Sequence, residues 1–78
     1  MKQYVDVITL IAADGRLRPV ILCWQGRRFR VERVLSVREL YAPDGGCGVR
    51  YLCQIQGKPH SLWWERDRWF VQKDPDKV

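Results

Sequence analysis

The sequence predicts a small all-β domain, and three observations lead to that fold class. Runs rich in Val, Ile, Tyr and Thr recur along the chain, and turn residues separate them at regular spacing. No segment of helical length carries an apolar stripe at helical periodicity. The length of 78 residues allows a single domain. Because closure removes exposed strand edges, we expect an antiparallel meander of about five or six strands that closes into an SH3-like barrel over residues 1–73, with a frayed polar tail at residues 74–78.

The first half of the chain reads as two strands joined by a turn. Residues 3–11 are rich in β-branched side chains, and Asp14-Gly15 follows them as a turn signal because Gly accepts a positive φ. Residues 17–24 form the second predicted strand. Pro19 lies near the start of that strand, where a missing N–H does least harm. Gln25-Gly26-Arg27 then reads as a short hairpin connection.

Residues 29–40 alternate between apolar and polar side chains, as a half-buried strand does. Arg33 and Val34 fall out of step with that alternation. The interruption predicts a bulge or a sharp bend, which would let one long strand take part in both halves of a small barrel.

The second half reads as a loop followed by a strand and a last hairpin. The predicted loop is residues 41–48, and the predicted strands are residues 49–56, 60–65 and 69–73. Gly57-Lys58-Pro59 is the predicted turn between the first two of these strands, and Arg66-Asp67-Arg68 the turn between the last two.

The chain is basic, with 14 Lys and Arg against 9 Asp and Glu and a net charge of +5. Such a domain is attracted to polyanions, and Arg suits bidentate contacts with phosphate. Arg27, Arg28 and Arg30 crowd one hairpin, and the alternation puts Arg28 and Arg30 on the outer face of a strand. Two interpretations stay open: a phosphate-contacting stripe, or a solvated strand face whose arginines pair with Glu32, Glu39 and neighbouring carboxylates.

Trp63 and Trp64 are adjacent, so in a strand they point to opposite faces. One belongs to the core, and the other lies on the outer surface or under a loop. An exposed Trp beside the arginines of the last turn would stack on a base or anchor a protein partner. The alternative is that Trp24, Trp64 and Trp69 pack across strands. The candidate nucleic-acid-binding residues are Arg27, Arg28, Arg30, Arg50, Trp63, Arg66 and Arg68.

Cys23, Cys47, Cys53 and His60 are the atom types that bind zinc, but their spacing does not fit a zinc knuckle. An odd number of cysteines does not make a disulfide framework, which favours the reducing cytoplasm. Cys47 and His60 have no third group at a spacing that would make a nucleophile and base. We therefore predict no metal, no cofactor, no catalysis and no small-molecule substrate. The apolar stretch of residues 7–13 is too short for a membrane helix, so no membrane partner is expected.

Three motifs carry a family resemblance over residues 19–73. They are Trp24-x-Gly26-Arg27-Arg28-Phe29-x-Val31-x-x-Val34-Leu35, Arg50-Tyr51 and Trp64-Glu65-Arg66-Asp67-Arg68-Trp69-Phe70-Val71. In this order they resemble a small bacterial all-β domain family of unknown function, which occurs stand-alone or as a tail on some translesion-type DNA polymerases. The family pattern often has a Trp where this chain has Ser36-Val37-Arg38. The resemblance implies a role beside DNA handling and no catalytic residues.

Two functions of different classes follow from the sequence. The first is a nucleic-acid-associated module that uses the arginine hairpin and a surface Trp. The second is a protein-interaction barrel in which aromatic side chains anchor a partner.

Overall fold

The fold is all-β, as the sequence predicts. A computed structural model describes residues 2–41 and 47–72, and no helix occurs among them. Within these ranges there is accordingly no helical segment that could cross a membrane. The strands are β1 (Lys2–Ile11), β2 (Leu17–Trp24), β3 (Arg27–Arg30), β4 (Arg33–Tyr41), β5 (Cys47–Ile55), β6 (Lys58–Glu65) and β7 (Arg68–Gln72).

The seven strands form one antiparallel sheet in the order β3-β2-β1-β7-β6-β5-β4. β1 connects the two parts of the curled sheet, because it changes partner along its length. Its first residues pair with β7, up to Val5 opposite Trp69, and its later residues pair with β2 from Asp6 onward. The two outermost strands, β3 and β4, are consecutive in the chain, so the sheet curls back toward its own beginning.

The expectation of five or six strands is wrong, because the segment predicted as one long strand breaks in two. The Val31 N–H donates to the Val20 carbonyl of β2 at 2.8 Å, whereas the next N–H, of Glu32, donates to the Gln54 carbonyl of β5 at 2.8 Å. Successive amides thus bond to different strands, and the chain leaves β2 and joins β5 at this corner.

The predicted bulge lies just after the corner. Val34 is opposite Cys53 and Ser36 is opposite Leu52, so Leu35 is an extra residue in β4. The extra residue shifts the alternation, and Val34 faces the same side of the sheet as the buried Cys53.

Two hairpins have two-residue turns with both residues at positive φ. Gln25 and Gly26 connect β2 to β3 with φ of 49° and 75°, and Gln56 and Gly57 connect β5 to β6 with φ of 51° and 75°. Such turns match the right-handed twist of the flanking strands. Since two residues suffice, Lys58 already belongs to β6 rather than to the predicted turn.

Several predicted element ends differ from the structure. Tyr41 belongs to β4, and Cys47 and Gly48 belong to β5 rather than to the predicted loop. Arg68 likewise opens β7. The middle of the predicted loop, residues 42–46, and the predicted tail, residues 74–78, lie outside the described residues.

The inner face of the curled sheet holds the main core. Its buried members are Leu22, Tyr51, Cys53, Ile55, Leu62 and Trp69. The Trp69 ring meets Tyr51 and Trp64 edge-on, each at 5.1 Å between centroids. Its Nε1–H donates to the Thr9 hydroxyl at 2.9 Å. Trp64 and Trp69 therefore pack across strands, which is the alternative that the sequence left open for them.

A second, smaller cluster lies on the other side of the sheet, which we call the outer face. Trp63 and Phe70 are stacked there, with 5.9 Å between centroids and 10° between ring planes, and Leu40 packs against them. A Cβ placed on Gly48 would lie 3.3 Å from Trp63 Cε3, so a glycine at this position lets the indole approach the β5 backbone. Aromatic burial therefore occurs on both faces of this sheet.

Candidate nucleic-acid interface

Strand register places a set of arginines on the outer face of the sheet. Arg28 is opposite Cys23 and Arg30 opposite Ile21, and both lie on the side away from the buried Leu22. Cys53 and Tyr51 of β5 are in the core, so the alternate residues Gln54 and Arg50 face outward. Arg33 stands opposite Gln54 and Arg38 opposite Arg50, so both of these face outward as well. The resulting set, which we call the basic face, is Arg28, Arg30, Arg33, Arg38 and Arg50.

Among the described residues, no ion pair neutralises an arginine of the basic face. The ion pairs among the described residues join Lys2 to Glu65, Arg16 to Asp14 and Arg68 to Asp67. None of these pairs involves an arginine of the basic face. The nearby Glu32 carboxylate instead accepts the Gly57 N–H at 3.1 Å. Within residues 2–41 and 47–72, the alternative in which these arginines pair with Glu32 and Glu39 therefore does not occur.

Two members of the basic face stand directly opposite each other. Arg38 of β4 pairs in register with Arg50 of β5. Like charges in this position repel, because directly opposed Cβ atoms lie only about 4.5–5.5 Å apart. The Nε of Arg50 is also buried without a hydrogen-bond acceptor. An anion held between these guanidinium groups would offset the repulsion.

The structure divides the predicted site residues. Arg28, Arg30 and Arg50 share the outer face. Arg27 is exposed but stands opposite Trp24, which packs against the inner core, so its side chain belongs to the other side of the sheet.

Arg66 and Arg68 lie at the last hairpin. Arg68 also faces outward, because it stands two residues before Phe70 of the outer cluster in β7. Arg66 occupies the turn with a φ of 56°, and the Arg68 guanidinium lies 4.5 Å from the centre of the Tyr4 ring.

Trp63, one of the candidate nucleic-acid-binding residues, is buried. Trp63 does point to the outer face, but only 5% of its surface is exposed. The Phe70 ring covers it from β7, and Tyr4 of β1 contacts Phe70 edge-on at 5.9 Å. Of the other tryptophans, Trp69 is buried and Trp24 and Trp64 are half-buried. The exposed aromatic side chains of the described residues are Tyr4 and Tyr41.

Sequence reasoning missed Arg33 as a site residue and did not commit to Arg38. The alternation counted from Phe29 assigned Arg33 to the buried side of the strand. The corner at Val31 and Glu32 resets that alternation, so Arg33 faces outward with Gln54. A charged residue out of phase was the available signal for this reset.

The Glu65 carboxylate lies beside the aromatic cluster and accepts a hydrogen bond at each of its two oxygens. Glu65 accepts hydrogen bonds from Lys2 Nζ at 2.6 Å and from the Tyr4 hydroxyl at 2.8 Å. The hydrogen bond from Lys2, and then that from Tyr4, hold the pKa of the Glu65 carboxyl below its usual value. Because Lys2 and Tyr4 both belong to β1, these hydrogen bonds connect β1 to Glu65 at the end of β6.

The thiols and the histidine do not form a site in the described part of the chain. No three His, Cys, Asp or Glu side chains come together there as metal ligands. Cys53 is fully buried, and desolvation raises the pKa of its thiol to about 11, which keeps it protonated. The Cys47 side chain lies outside what the structure describes.

An open groove of about 390 Å³ lies between the β1–β2 hairpin and β4. Its lining includes Leu10, Leu17 and Arg18 from the hairpin, Val34 and Val37 from β4, and Tyr51 from β5. We call this the edge groove. The Tyr51 hydroxyl donates to the Leu17 carbonyl at 3.3 Å and so connects β5 to the start of β2.

Comparisons with the models of known protein families, with curated proteins and with solved structures find no match to this chain. The resemblance to the bacterial family stays a prediction.

Proposed function

We propose that this chain is a non-catalytic module that binds nucleic-acid phosphates through its basic face. The observation that carries the proposal is the set of arginines on one side of the sheet with no carboxylate partner among the described residues. Arg offers a planar fork of donors that fits phosphate oxygens and is always charged. Unpaired arginines on a sheet face are therefore available to a polyanion.

The proposed mechanism does not use stacking on a Trp, because all four Trp lie within the described residues and none of them is exposed. Binding rests on phosphate contacts, which carry little sequence information. We expect similar affinity for oligonucleotides of different sequence, at about 10⁻⁴–10⁻⁶ M in physiological salt, as for other non-specific binders.

The test is a fluorescence-anisotropy titration of labelled single- and double-stranded oligonucleotides at several salt concentrations. Changing Arg28 and Arg30 to Glu should abolish binding without unfolding the domain, because both side chains are exposed. For duplex DNA, the logarithm of the binding constant falls linearly with the logarithm of the salt concentration, and we call the steepness of this line the salt slope. The milder double change to Gln should reduce the salt slope by about 1.8, since each phosphate contact contributes about 0.9.

Arg28→Gln alone should reduce the salt slope by about 0.9, and Arg27→Gln is its matched control. It removes the same charge from the same strand, also without an ion-pair partner among the described residues, but on the opposite side of the sheet. We expect the salt slope of this variant to equal that of the unchanged protein. No binding at about 100 μM protein in low salt, or equal losses in the Arg27 and Arg28 variants, would contradict the proposal.

The second candidate is a protein-interaction module with aromatic anchors. Tyr41, of which 80% is exposed, is the observation that favours it. An aromatic-anchored protein contact has a shallow salt dependence, whereas phosphate binding has a steep one. The salt dependence of the binding constant therefore distinguishes the two functions.

We propose further that the curled sheet is a small barrel of the SH3-like kind, from a bacterial cytoplasmic protein that acts beside DNA. The two amides that bond to β2 and to β5 at the Val31–Glu32 corner support closure at that point. Slow hydrogen exchange of both amides, at the rate of the core strands, would support the closed form. Fast exchange of both would contradict it.

A further inference from the structure

We propose that β4 accepts an extended segment of another protein as an added strand, with apolar and acidic side chains alternating along that segment. This goes beyond the proposed function, because it uses the edge of β4 and the edge groove instead of phosphate contacts on the basic face.

The first observation is the unpaired edge. β4 pairs with β5 along one side, and no other described strand pairs with its second side. Its neighbour in the chain, β3, pairs with β2 instead. An open strand edge presents unpaired N–H and C=O groups, which is the template that β-strand addition uses.

The second observation is the concentration of exposed apolar side chains around this edge. Val37 of β4 is 52% exposed although it stands opposite the buried Tyr51, and Leu35 and Tyr41 of the same strand are exposed too. Leu10, from the hairpin across the edge groove, adds to the same patch. A strand laid along β4 would cover these side chains.

The third observation gives the chemistry of the partner. Val34 and Val37 face the inner side, whereas Arg33 and Arg38 face the outer side of the same strand. Arg18 lines the groove opposite, together with Arg16, which is paired with Asp14. Since side chains of an added strand alternate between the two sides, one set would enter the apolar groove and the other would meet the arginines. Acidic residues at the outward positions complement that charge.

The probe is a capped synthetic octapeptide of alternating Val and Asp, added at up to about 1 mM to the uniformly labelled protein. Amide chemical shifts and hydrogen exchange of the whole chain are the readout. We expect saturable shifts in β4 and the groove, with new exchange protection at β4 amides. The control peptide has the same side chains but N-methyl groups on alternate amides, which removes the donors of one edge, and it should not bind.

Val37→Ser should weaken peptide binding at least tenfold, and Ile8→Ser is its matched control. Ile8 is 44% exposed but lies away from the edge groove, so its variant should bind the peptide like the unchanged protein. Arg28→Gln with Arg30→Gln should also leave peptide binding unchanged. That result separates this proposal from the nucleic-acid function, which the same double variant weakens.

Four results would overturn the proposal. They are the absence of shifts at the highest peptide concentration, equal binding of the N-methyl peptide, shifts centred on Arg28 and Arg30, and equal loss in the Val37 and Ile8 variants. A concentration-dependent dimer with shifts in β4 and no peptide present would also overturn it, because the occupant would then be a second copy of this chain.

Discussion

Replacing Trp63 tests whether the outer face carries a second core. A Trp side chain buries about 150–250 Å² in a folded protein, and Trp63 retains only 5% of its exposure here. At about 25 cal/mol per Å², burial of roughly 200 Å² stabilises the fold by about 5 kcal/mol. A compact unfolded state lowers this figure to about 3–4.5 kcal/mol. We therefore expect Trp63→Ala to cost about 3–5 kcal/mol, the range usual for Trp at buried sites.

A chain of this length has a total stability of about 4–12 kcal/mol, so Trp63→Ala removes a large part of it and Trp63→Phe is the better-behaved variant. We expect Trp63→Phe to cost about 1–2 kcal/mol. With a urea slope near 1 kcal/mol/M, the unfolding midpoint should fall by about 1–2 M. Circular dichroism is the appropriate probe, because four tryptophans contribute to the fluorescence.

Tyr41→Ala is the control, since that ring is 80% exposed on the same sheet. It should change stability by no more than about 0.5 kcal/mol. If the Trp63 and Tyr41 variants shift the midpoint equally, the reasoning is refuted, because Trp63 then contributes no more to the core than an exposed ring.

Three further predictions concern single residues. Gly48→Ala should destabilise by about 1–3 kcal/mol in urea unfolding, because the new Cβ would lie 3.3 Å from both Trp63 Cε3 and the Trp64 carbonyl oxygen; an unchanged midpoint would show that the indole moves freely. Glu65 has a folded pKa below its unfolded value, so the stability it contributes is present above the ordinary Glu pKa of about 4.3 and is lost as pH falls through the lower folded pKa. Glu65→Gln should therefore flatten the acid limb of stability against pH, and an unaltered limb would refute the linkage. At a pH near the ordinary thiol pKa of about 8.5, the Cys53 thiol should resist alkylation unless the chain unfolds. Mass spectrometry after digestion measures the modification, and a rate equal to that of an exposed thiol would contradict the burial of Cys53.

Local pattern predicted the strands well, because alternation and turn chemistry are properties of neighbouring residues. The second strand begins at Leu17 and ends at Trp24 as expected, and the interruption at Arg33 and Val34 marked both the corner and the bulge at Leu35. The number of strands was wrong because an interrupted alternation does not tell a bend within one strand from a break into two strands. The break depends on the change of hydrogen-bond partner at Val31 and Glu32, which is a contact between distant segments.

The candidate site was harder to predict, because its residues meet through pairing between distant segments. Adjacency placed Trp63 and Trp64 on opposite faces, which is correct. It could not indicate that Phe70 would cover the outward ring, since that contact depends on the register of β6 against β7. The opposition of Arg38 and Arg50 likewise depends on the register of β4 against β5 after the bulge.

The two proposed surfaces share one strand, which couples them. Arg33 and Arg38 belong to the basic face, yet the outward side chains of a strand added to β4 would meet the same two guanidinium groups. Arg28 and Arg30 lie on β3, at the other end of the sheet order, and remain accessible. An added acidic strand should therefore compete with nucleic acid for part of the basic face and leave the rest in place. The physical consequence is a lower affinity for duplex DNA together with a salt slope smaller by about 1.8, since two phosphate contacts are lost. Because coupling between two binding events is reciprocal, duplex DNA must weaken the peptide by the same factor.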